Sequence, residues 1–385
     1  MTPLQTINQN ILITGGAGFI GAHLATELCG KGYYVTVLDT LSPQVHGDDP
    51  QRTSYTFQSL PAEVNFIQGS VTSKKDLIHA LQQQHVIVHL AAETGTGQSM
   101  YNIHHYTNVN IGGTALLLDI LANTKHTVQK IVVASSRAIY GEGKYFSKEL
   151  GVVYPSTRKS EHLEHGNFEA NYPGATTQLQ LMPTDEDSKI HPASVYGISK
   201  QNQEQMILTV CEALGIAGVA LRYQNVYGPG QSLNNPYTGI LSIFSTLIRN
   251  HRPINIFEDG KESRDFVYIS DVVQATVLAI ENDKASNNIY NVGYGKPVDV
   301  LTVAQNLCSA YNIDVPLNIS GNFRVGDIRH NYACIKKIQN ELGYIPQFNF
   351  EQGIQHFADW VKEQPVAESK YETSILELKE RGLYK

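Results

Sequence analysis

A basic surplus, closely spaced cysteines and long apolar runs are all missing from this sequence. Lysine and arginine number 29 against 36 aspartates and glutamates, for a formal net charge of −7. Without basic excess, a broad nucleic-acid-binding face is not expected, although a local phosphate pocket remains open. The 4 cysteines, Cys29, Cys211, Cys308 and Cys334, lie far apart and form no C-x-x-C pair. A disulfide framework or cysteine zinc site is therefore not expected. Cys29 and Cys211 fall within helical patterns and read as small buried residues. No apolar stretch approaches the roughly 20 residues of a membrane span. The opening MTPLQTINQN has neither the basic start nor the apolar core of a secretory leader. The expectation is a soluble, cytoplasmic protein of a reducing compartment, with neither nucleic acid nor membrane as partner.

What is present is a chain of 385 residues, 42% hydrophobic. That is ample for one domain with additions or for two packed domains. The first half alternates short apolar runs with amphipathic stretches. Ile11 to Thr14, Tyr34 to Leu38, Val64 to Ile67, Val86 to Leu90, Ile131 to Ala134 and Ala217 to Arg222 read as strands. Residues 19–31, 73–84, 105–124 and 197–214 read as helices. Such alternation predicts right-handed βαβ units and a Rossmann-type, doubly wound parallel α/β sheet. This domain is expected over 9–227, with later segments free to return to it.

A smaller C-terminal α/β portion is expected over 228–365. It would hold helices near 237–250 and 270–282 and short strands around Ile254 to Phe257 and Ile289 to Val292. The end, 366–385, is charged with helical spacing and reads as a solvated surface helix. The polar stretch 144–190 is too long for a structureless loop in a compact domain. It reads as a subdomain or a flap between two parts of the active site. Its histidines, with His191 beside them, read as solvated, and no metal site is expected.

Two stretches carry chemistry. Gly15, Gly18 and Gly21 follow the first strand and open a helix with Phe19 and Ile20. In that context the glycines let a backbone approach a pyrophosphate at a helix N-terminus. Asp39 ends the second strand. A carboxylate there accepts bonds from an adenosine ribose and repels a 2′-phosphate. LDTLSPQ supplies no arginine to offset that repulsion, so NAD is expected over NADP.

The second stretch is SVYGISK. Tyr196 and Lys200 are four apart and share one helical face. A free tyrosine, with a pKa near about 10, is a poor base. A neighbouring ammonium favours its phenolate. Tyr196 could then take a proton from a sugar hydroxyl as hydride leaves the carbon. Ser136, in the strand-end motif SSRAIYG, could hold the same hydroxyl.

TGGAGFIG, HLAAETG, NIGGT, SSRAIYG, YGISK, LRYQNVYGPG and ESRDFVYISDV occur in this order. So ordered, the chain resembles the extended short-chain dehydrogenase/reductases that act on nucleotide sugars. Among these it is most similar to the sugar-nucleotide 4-epimerases, the group of UDP-glucose 4-epimerase and dTDP-L-rhamnose 4-epimerase-like proteins. The resemblance implies a catalytic trio of Ser136, Tyr196 and Lys200. It implies Ser70, Val71, Leu90, Ala91, Ala92, Asn110 and Tyr223 around the cofactor. Toward a nucleotide-diphosphate sugar it implies Thr94, Ser136, Arg137, Asn225, Asn235, Phe257, Arg264, Arg324 and Asp327. Many relatives have aspartate where this chain has Ser70. Some close relatives also carry cysteines in the insertion, where this chain has none. Relatives pair two helices from each subunit, which implies a homodimer through 105–124 and 195–214.

Subtraction narrows the reaction. A 4,6-dehydratase needs an acid and a base beside the strand-end hydroxyl, and those places hold Arg137 and Ala138. A 3,5-epimerising relative would want a cysteine acid nearby, and this segment has none. Inversion at C4 through a 4-keto sugar remains, as in dTDP-L-rhamnose/dTDP-6-deoxy-L-talose or UDP-hexose interconversion. A nucleotide-sugar oxidoreductase and a non-catalytic NAD-binding regulator stay open as alternatives.

Overall fold

Ile11 and Ile13 pack into one apolar layer and Leu12 into another. That is the period-two alternation of a strand buried on both faces. A computed structural model of the chain describes residues 9–233, 235, 237, 239–366 and 371–385. Seven strands form its central sheet: β1 (Asn10–Thr14), β2 (Tyr34–Asp39), β3 (Asn65–Gln68), β4 (Val86–His89), β5 (Lys130–Ser136), β6 (Ala217–Tyr223) and β7 (Asn288–Val292). Their order is 7-6-5-4-1-2-3, and every pairing is parallel. The order reverses at β1, which has β2 on one side and β4 on the other. The crevice at the carboxyl ends of these strands is where such sheets bind ligands.

Helices cover both faces. The helix α1 (Phe19–Gly30) shares a core with α4 (Ile269–Glu281) through Leu24, Leu28, Val272 and Ala275. On the other face, α2 (Gly113–Asn123) and α3 (Val195–Leu214) contribute Leu117, Leu121, Ile207 and Cys211. Ser194 caps α3 by accepting from the Gly197 N–H at 3.1 Å. Gly215, with φ +71°, ends it in the left-handed region that glycine tolerates. Among the described residues, no helix is long and apolar enough to cross a membrane.

Three expectations need correction. The strand around Ile289 to Val292 is an edge of the central sheet, not part of the C-terminal portion. The helix expected near 270–282 likewise packs on α1 and the sheet. Only burial on two sides made these segments resemble their neighbours in sequence. The helix expected over 105–124 is interrupted, with a π-helical segment, Thr107–Gly112, between Ile103–Tyr106 and α2. Of the two readings of 144–190, the structure bears out the folded subdomain. Its strands Tyr145–Ser147, Gly151–Val153 and Gln180–Leu181 make a three-stranded sheet around a small core of Tyr145, Val153 and Leu179.

The tail helix α5 (Tyr371–Glu380) is docked, with Ser374 and Leu378 buried. Its charged face is solvated as expected, with Glu372, Lys379, Glu380 and Arg381 exposed, and Lys379 and Arg381 also lie over tyrosine rings. The rest of the C-terminal portion is built on the helices Ile240–Arg249, Val300–Tyr311 and Phe350–Glu363. It packs into the same apolar core as α1 and α4.

One buried ion pair joins the layers. Arg222 on β6 donates to Glu204 on α3 from Nη2 at 2.6 Å and from Nε at 3.0 Å. Its Nη1 donates to the Tyr140 hydroxyl at 2.6 Å and to the Glu186 carbonyl at 2.8 Å. Ser135, directly opposite Arg222 in the sheet, donates to the same Glu204 at 2.5 Å. Breaking a buried pair by removing one partner typically costs about 3–5 kcal/mol, because the other charge stays buried. Glu204→Ala is expected to lose that much in urea denaturation. The double change Glu204→Leu with Arg222→Leu should recover most of it.

Candidate active site

The crevice opens into a cavity of about 1570 Å³. Three local devices shape it. The first is the glycine loop between β1 and α1. A Cβ on Gly15 would lie 2.8 Å from the Ala91 nitrogen, and one on Gly21 only 2.5 Å from the Gly16 Cα. The loop is therefore packed too tightly for any side chain at either position. Gly15, Gly18, Phe19, Ile20 and Gly21 all line the cavity. This glycine cradle at the mouth of α1 suits a pyrophosphate.

Asp39 closes this end. Its carboxylate accepts from the Ala17 N–H at 3.1 Å and from the Leu41 N–H at 2.9 Å, so it braces the glycine loop. His46 lies 3.8 Å away. Burial lowers its pKa more than Asp39 raises it, so it is a poor counter-charge. Sequence reading missed Arg52, which lines the same end but is exposed and paired with Asp49 at 3.5 Å. Ser70, Val71, Leu90, Ala91 and Ala92 complete this wall. Asn110 lies behind it. It accepts from the Glu93 N–H at 2.7 Å and donates to the Glu93 carbonyl and the Ser199 hydroxyl. The π-helical segment carries Asn110 into that position.

The second device is the meeting of β5 with α3. Ser136 ends the strand, and its Oγ accepts from the Ala138 N–H at 3.1 Å, starting a short 3-10 turn over Arg137–Tyr140. Gly197 lets α3 seat on that turn, since a Cβ there would lie 2.6 Å from the Ala138 carbonyl oxygen. The close approach brings Tyr196 beside Ser136. Burial raises the Tyr196 pKa, while the Ser136 hydrogen bond and the Arg137 charge pull it back down. Lys200, one turn further along, donates to Gln203 at 2.8 Å. Burial lowers its pKa to about 7, opposed by Glu204.

Gln203 leads from Lys200 into a buried polar chain. Its amide donates to Thr114 at 2.9 Å, and Thr114 lies 2.9 Å from His89, which in turn is 2.8 Å from Thr14. Burial and the Lys200 charge lower the His89 pKa to about 3, so it stays neutral. Gln203 and Glu204 were not singled out from sequence. Their spacing of three and four from Lys200 on one helical face was the available signal.

The third device is the substrate-side wall. Thr94, Ser136, Arg137, Tyr223, Asn225 and Asn235 line the cavity with Tyr196 and Lys200. Arg137 Nε donates to Asn225 at 2.6 Å. Tyr223 turns its hydroxyl inward to Thr276 at 2.8 Å, leaving its ring for the cavity. Phe257, Arg264, Arg324 and Asp327 lie outside that lining and form an adjoining cluster. Arg264 pairs with Asp327 at 3.0 Å, and the Arg324 guanidinium lies 4.9 Å from the Phe257 ring centre. Burial would raise the Asp327 pKa, but Arg264, Arg324, Arg158 and Arg137 together hold it below the usual value.

The insertion touches this cluster and not the cavity lining. Arg158 donates to the Asp327 carbonyl at 3.0 Å and pairs with Glu258 at 2.8 Å. Among the described residues, one acidic group, Glu258, Asp259 and Glu262, has metal-like spacing. Glu258 and Asp259 are already engaged by Arg329 at 3.0 and 2.7 Å.

Comparison with known proteins finds a family and solved structures of the same fold. The model of the NAD-dependent epimerase/dehydratase family matches residues 11–161 and 169–293. A dTDP-L-rhamnose 4-epimerase of Burkholderia thailandensis is 35% identical over 359 residues, covering 92% of this chain and 96% of that one. The UDP-glucose 4-epimerase of Thermotoga maritima, solved with UDP-glucose, superposes with a TM-score of 0.74 at 28% identity, covering 92% of this chain and 99% of that one. A UDP-glucuronic acid 4-epimerase of Bacillus cereus, solved with UDP-glucuronic acid and NAD, gives 0.74 at 25% identity over the same shares.

The Asp39 environment generates a cofactor test. Calorimetry should find NAD bound more tightly than NADP, and Asp39→Ala should narrow the gap by removing the repelling charge. Equal affinity in the unaltered protein would refute the assignment.

Proposed function

The chain belongs to the NAD-dependent epimerase/dehydratase family, and we propose that it inverts C4 of a nucleotide-activated hexose through a 4-keto intermediate. One observation carries the reading. Ser136, Tyr196 and Lys200 converge in the same cavity as the glycine loop, while Arg137 and Ala138 fill the places beside them. The glycine loop and the wall from Ser70 to Ala92 would hold NAD, which would supply a reversible hydride acceptor for C4. Tyr196 takes the proton of the C4 hydroxyl and later gives it back. Ser136 holds that oxygen, and the Ser136 hydrogen bond and the Arg137 charge favour the phenolate, with Lys200 one turn along the same helix. Neither Arg137 nor Ala138 can eliminate water from the sugar, because one is a fixed cation and the other has no functional group. The relatives named above favour a dTDP- or UDP-linked hexose, 6-deoxy or not.

In this reading the cofactor part spans 9–227 together with β7. The substrate part is drawn mainly from 228–365. The diphosphate lies toward Arg137 and Asn225, with the arginines around Asp327 beyond. Arg137, Arg264 and Arg324 all act on Asp327, and guanidiniums so grouped suit an anionic diphosphate linker.

Incubation with dTDP-, UDP-, GDP- and CDP-hexoses, with products resolved by NMR, should yield C4 epimers without net change in nicotinamide absorbance. Stoichiometric cofactor consumption would point to an oxidoreductase instead. Tyr196→Phe should lower turnover by at least about 10²–10⁴-fold, the usual worth of a general acid–base group, with NAD binding kept. Retained activity would mean that another group moves the proton.

A two-fold homodimer through α2 and α3 belongs to the same proposal. The outer face of α3 leaves Ile198 46% exposed beside Gln205 and Thr209, and α2 next to it exposes Ala115. Burying such a face against its own copy removes apolar surface from water, and two-fold dimers are the commonest oligomers. Light scattering should give twice the 42.6 kDa chain mass at micromolar concentration. A monomer mass would refute the dimer.

A further inference from the structure

The C-terminal segment 371–385 connects parts of the molecule that are far apart in sequence, some in the cavity wall and others in the adjoining arginine cluster and the insertion. Thr373 lines the cavity itself. Leu378 packs against Gly97, in the short helix Thr96–Ser99 whose first residue also lines it. Glu377 accepts from the Tyr101 hydroxyl at 2.8 Å and from the Tyr237 hydroxyl at 2.9 Å. Tyr237 belongs to the cavity wall. The Arg381 guanidinium lies 4.3 Å from the Tyr101 ring centre.

Beyond Gly382 the chain turns and pairs with 323–325. Phe323 N–H donates to the Lys385 carbonyl at 2.8 Å, and Lys385 N–H returns a bond at 3.1 Å. Val325 N–H donates to the Leu383 carbonyl at 3.0 Å. Tyr384 thereby faces Arg324 across the pairing, and its ring meets Phe257 edge-on at 5.3 Å. Lys385 reaches the insertion, where it pairs with Glu164 at 2.8 Å. A ten-residue helix is marginal alone in water, so its order here comes from these contacts.

Arg324 is the residue these contacts arrange. The donors of Arg264 are spent on the carbonyls of Ser263, Ile328 and Arg329 and on Asp327. The Arg324 Nε is buried with no hydrogen-bond partner among the described residues. Its guanidinium is gripped by Phe257 on its face and by the strand pairing along its backbone. Arg137, in the cavity wall, and Arg324 both act on Asp327. Arginines therefore flank Asp327 both on the cavity side and in the cluster that the C-terminal segment borders.

We propose that residues 371–385 form a wall of the sugar-nucleotide site, with Tyr384 and Glu377 as positioning residues. Tyr384 holds Arg324 and Phe257 in place for the nucleoside diphosphate, and Glu377 sets Tyr237 at the sugar end. This rests on the sugar-nucleotide reading above. A side chain locked by its neighbours loses less freedom when a ligand arrives, so the wall adds affinity without touching the reacting atoms.

The test uses the NAD-loaded full chain, with dTDP, UDP, GDP and CDP as calorimetric probes. A chain ending before residue 371 and the single change Tyr384→Ala should each weaken the best-bound diphosphate by about tenfold or more. In turnover they should raise KM for the sugar nucleotide far more than they lower kcat, with NAD content unchanged. Tyr384→Phe should stay near the unaltered protein, since the ring and not the hydroxyl meets Phe257. Glu377→Gln, which still accepts from both tyrosines, should do likewise, while Glu377→Ala raises KM. Unchanged or tighter diphosphate binding in the shortened chain and in Tyr384→Ala would overturn the wall and leave the sugar-nucleotide reading intact. If the full chain binds none of the four diphosphates, the sugar-nucleotide reading fails and the proposal falls with it.

Discussion

The bond between Arg222 and Glu204 is the constraint on which the geometry of the crevice depends. It ties β6 to α3, and through Ser135 and Tyr140 it also ties in the end of β5 and the turn that follows. Ser136 is the next residue along that strand, and Lys200 lies one helical turn before Glu204. A shift of α3 would move Tyr196 and Lys200 together relative to Ser136. With both partners out of water, the pair has no cheap alternative geometry. Its satisfied donors also take in the Glu186 carbonyl, so the insertion is registered to the same point.

Around that fixed point the two ends of the cavity are built differently. The glycine end is backbone, braced by Asp39 and closed by a strand end, and a rigid frame suits a ligand that need not move. The other end is assembled from side chains on separate segments: Arg137 after β5 and Asn225 after β6 in the lining, with Arg264, Asp327 and Arg324 in the cluster that adjoins it. Under the proposed inversion, a sugar presenting both faces to the same tyrosine would need its nucleotide anchored there and its hexose loosely held.

The glycine spacing, the strand-end serine and the Tyr-x-x-x-Lys pair were legible because each is local. They occupy one turn, one strand end and one helical face, and short-range sterics determine those. The helical break at Thr107–Gly112 was not legible, because π-helical geometry has no composition of its own. Arg52 was missed because its guanidinium reaches the cavity from a short helix eleven residues or more beyond Asp39. The docking of the tail was not legible for a related reason. Its glutamates and basic residues give a polar pattern identical to that of a solvated helix, and only the location of Tyr101, Tyr237, Arg252 and Glu164 gives them partners.

By itself, then, the sequence determined the doubly wound sheet, the glycine cradle and the strand-end serine and Tyr-x-x-x-Lys pair that meet in the crevice. Periodicity and local backbone sterics are written in neighbouring residues. Tertiary structure alone decided that β7 closes the sheet edge, that the insertion folds as a subdomain away from the cavity lining, and that the tail docks beside the cavity. Each of those outcomes depends on pairings between residues up to hundreds of positions apart, such as Lys385 with Glu164. The free energy of such contacts comes from desolvation and charge complementarity that exist only once the chain has folded.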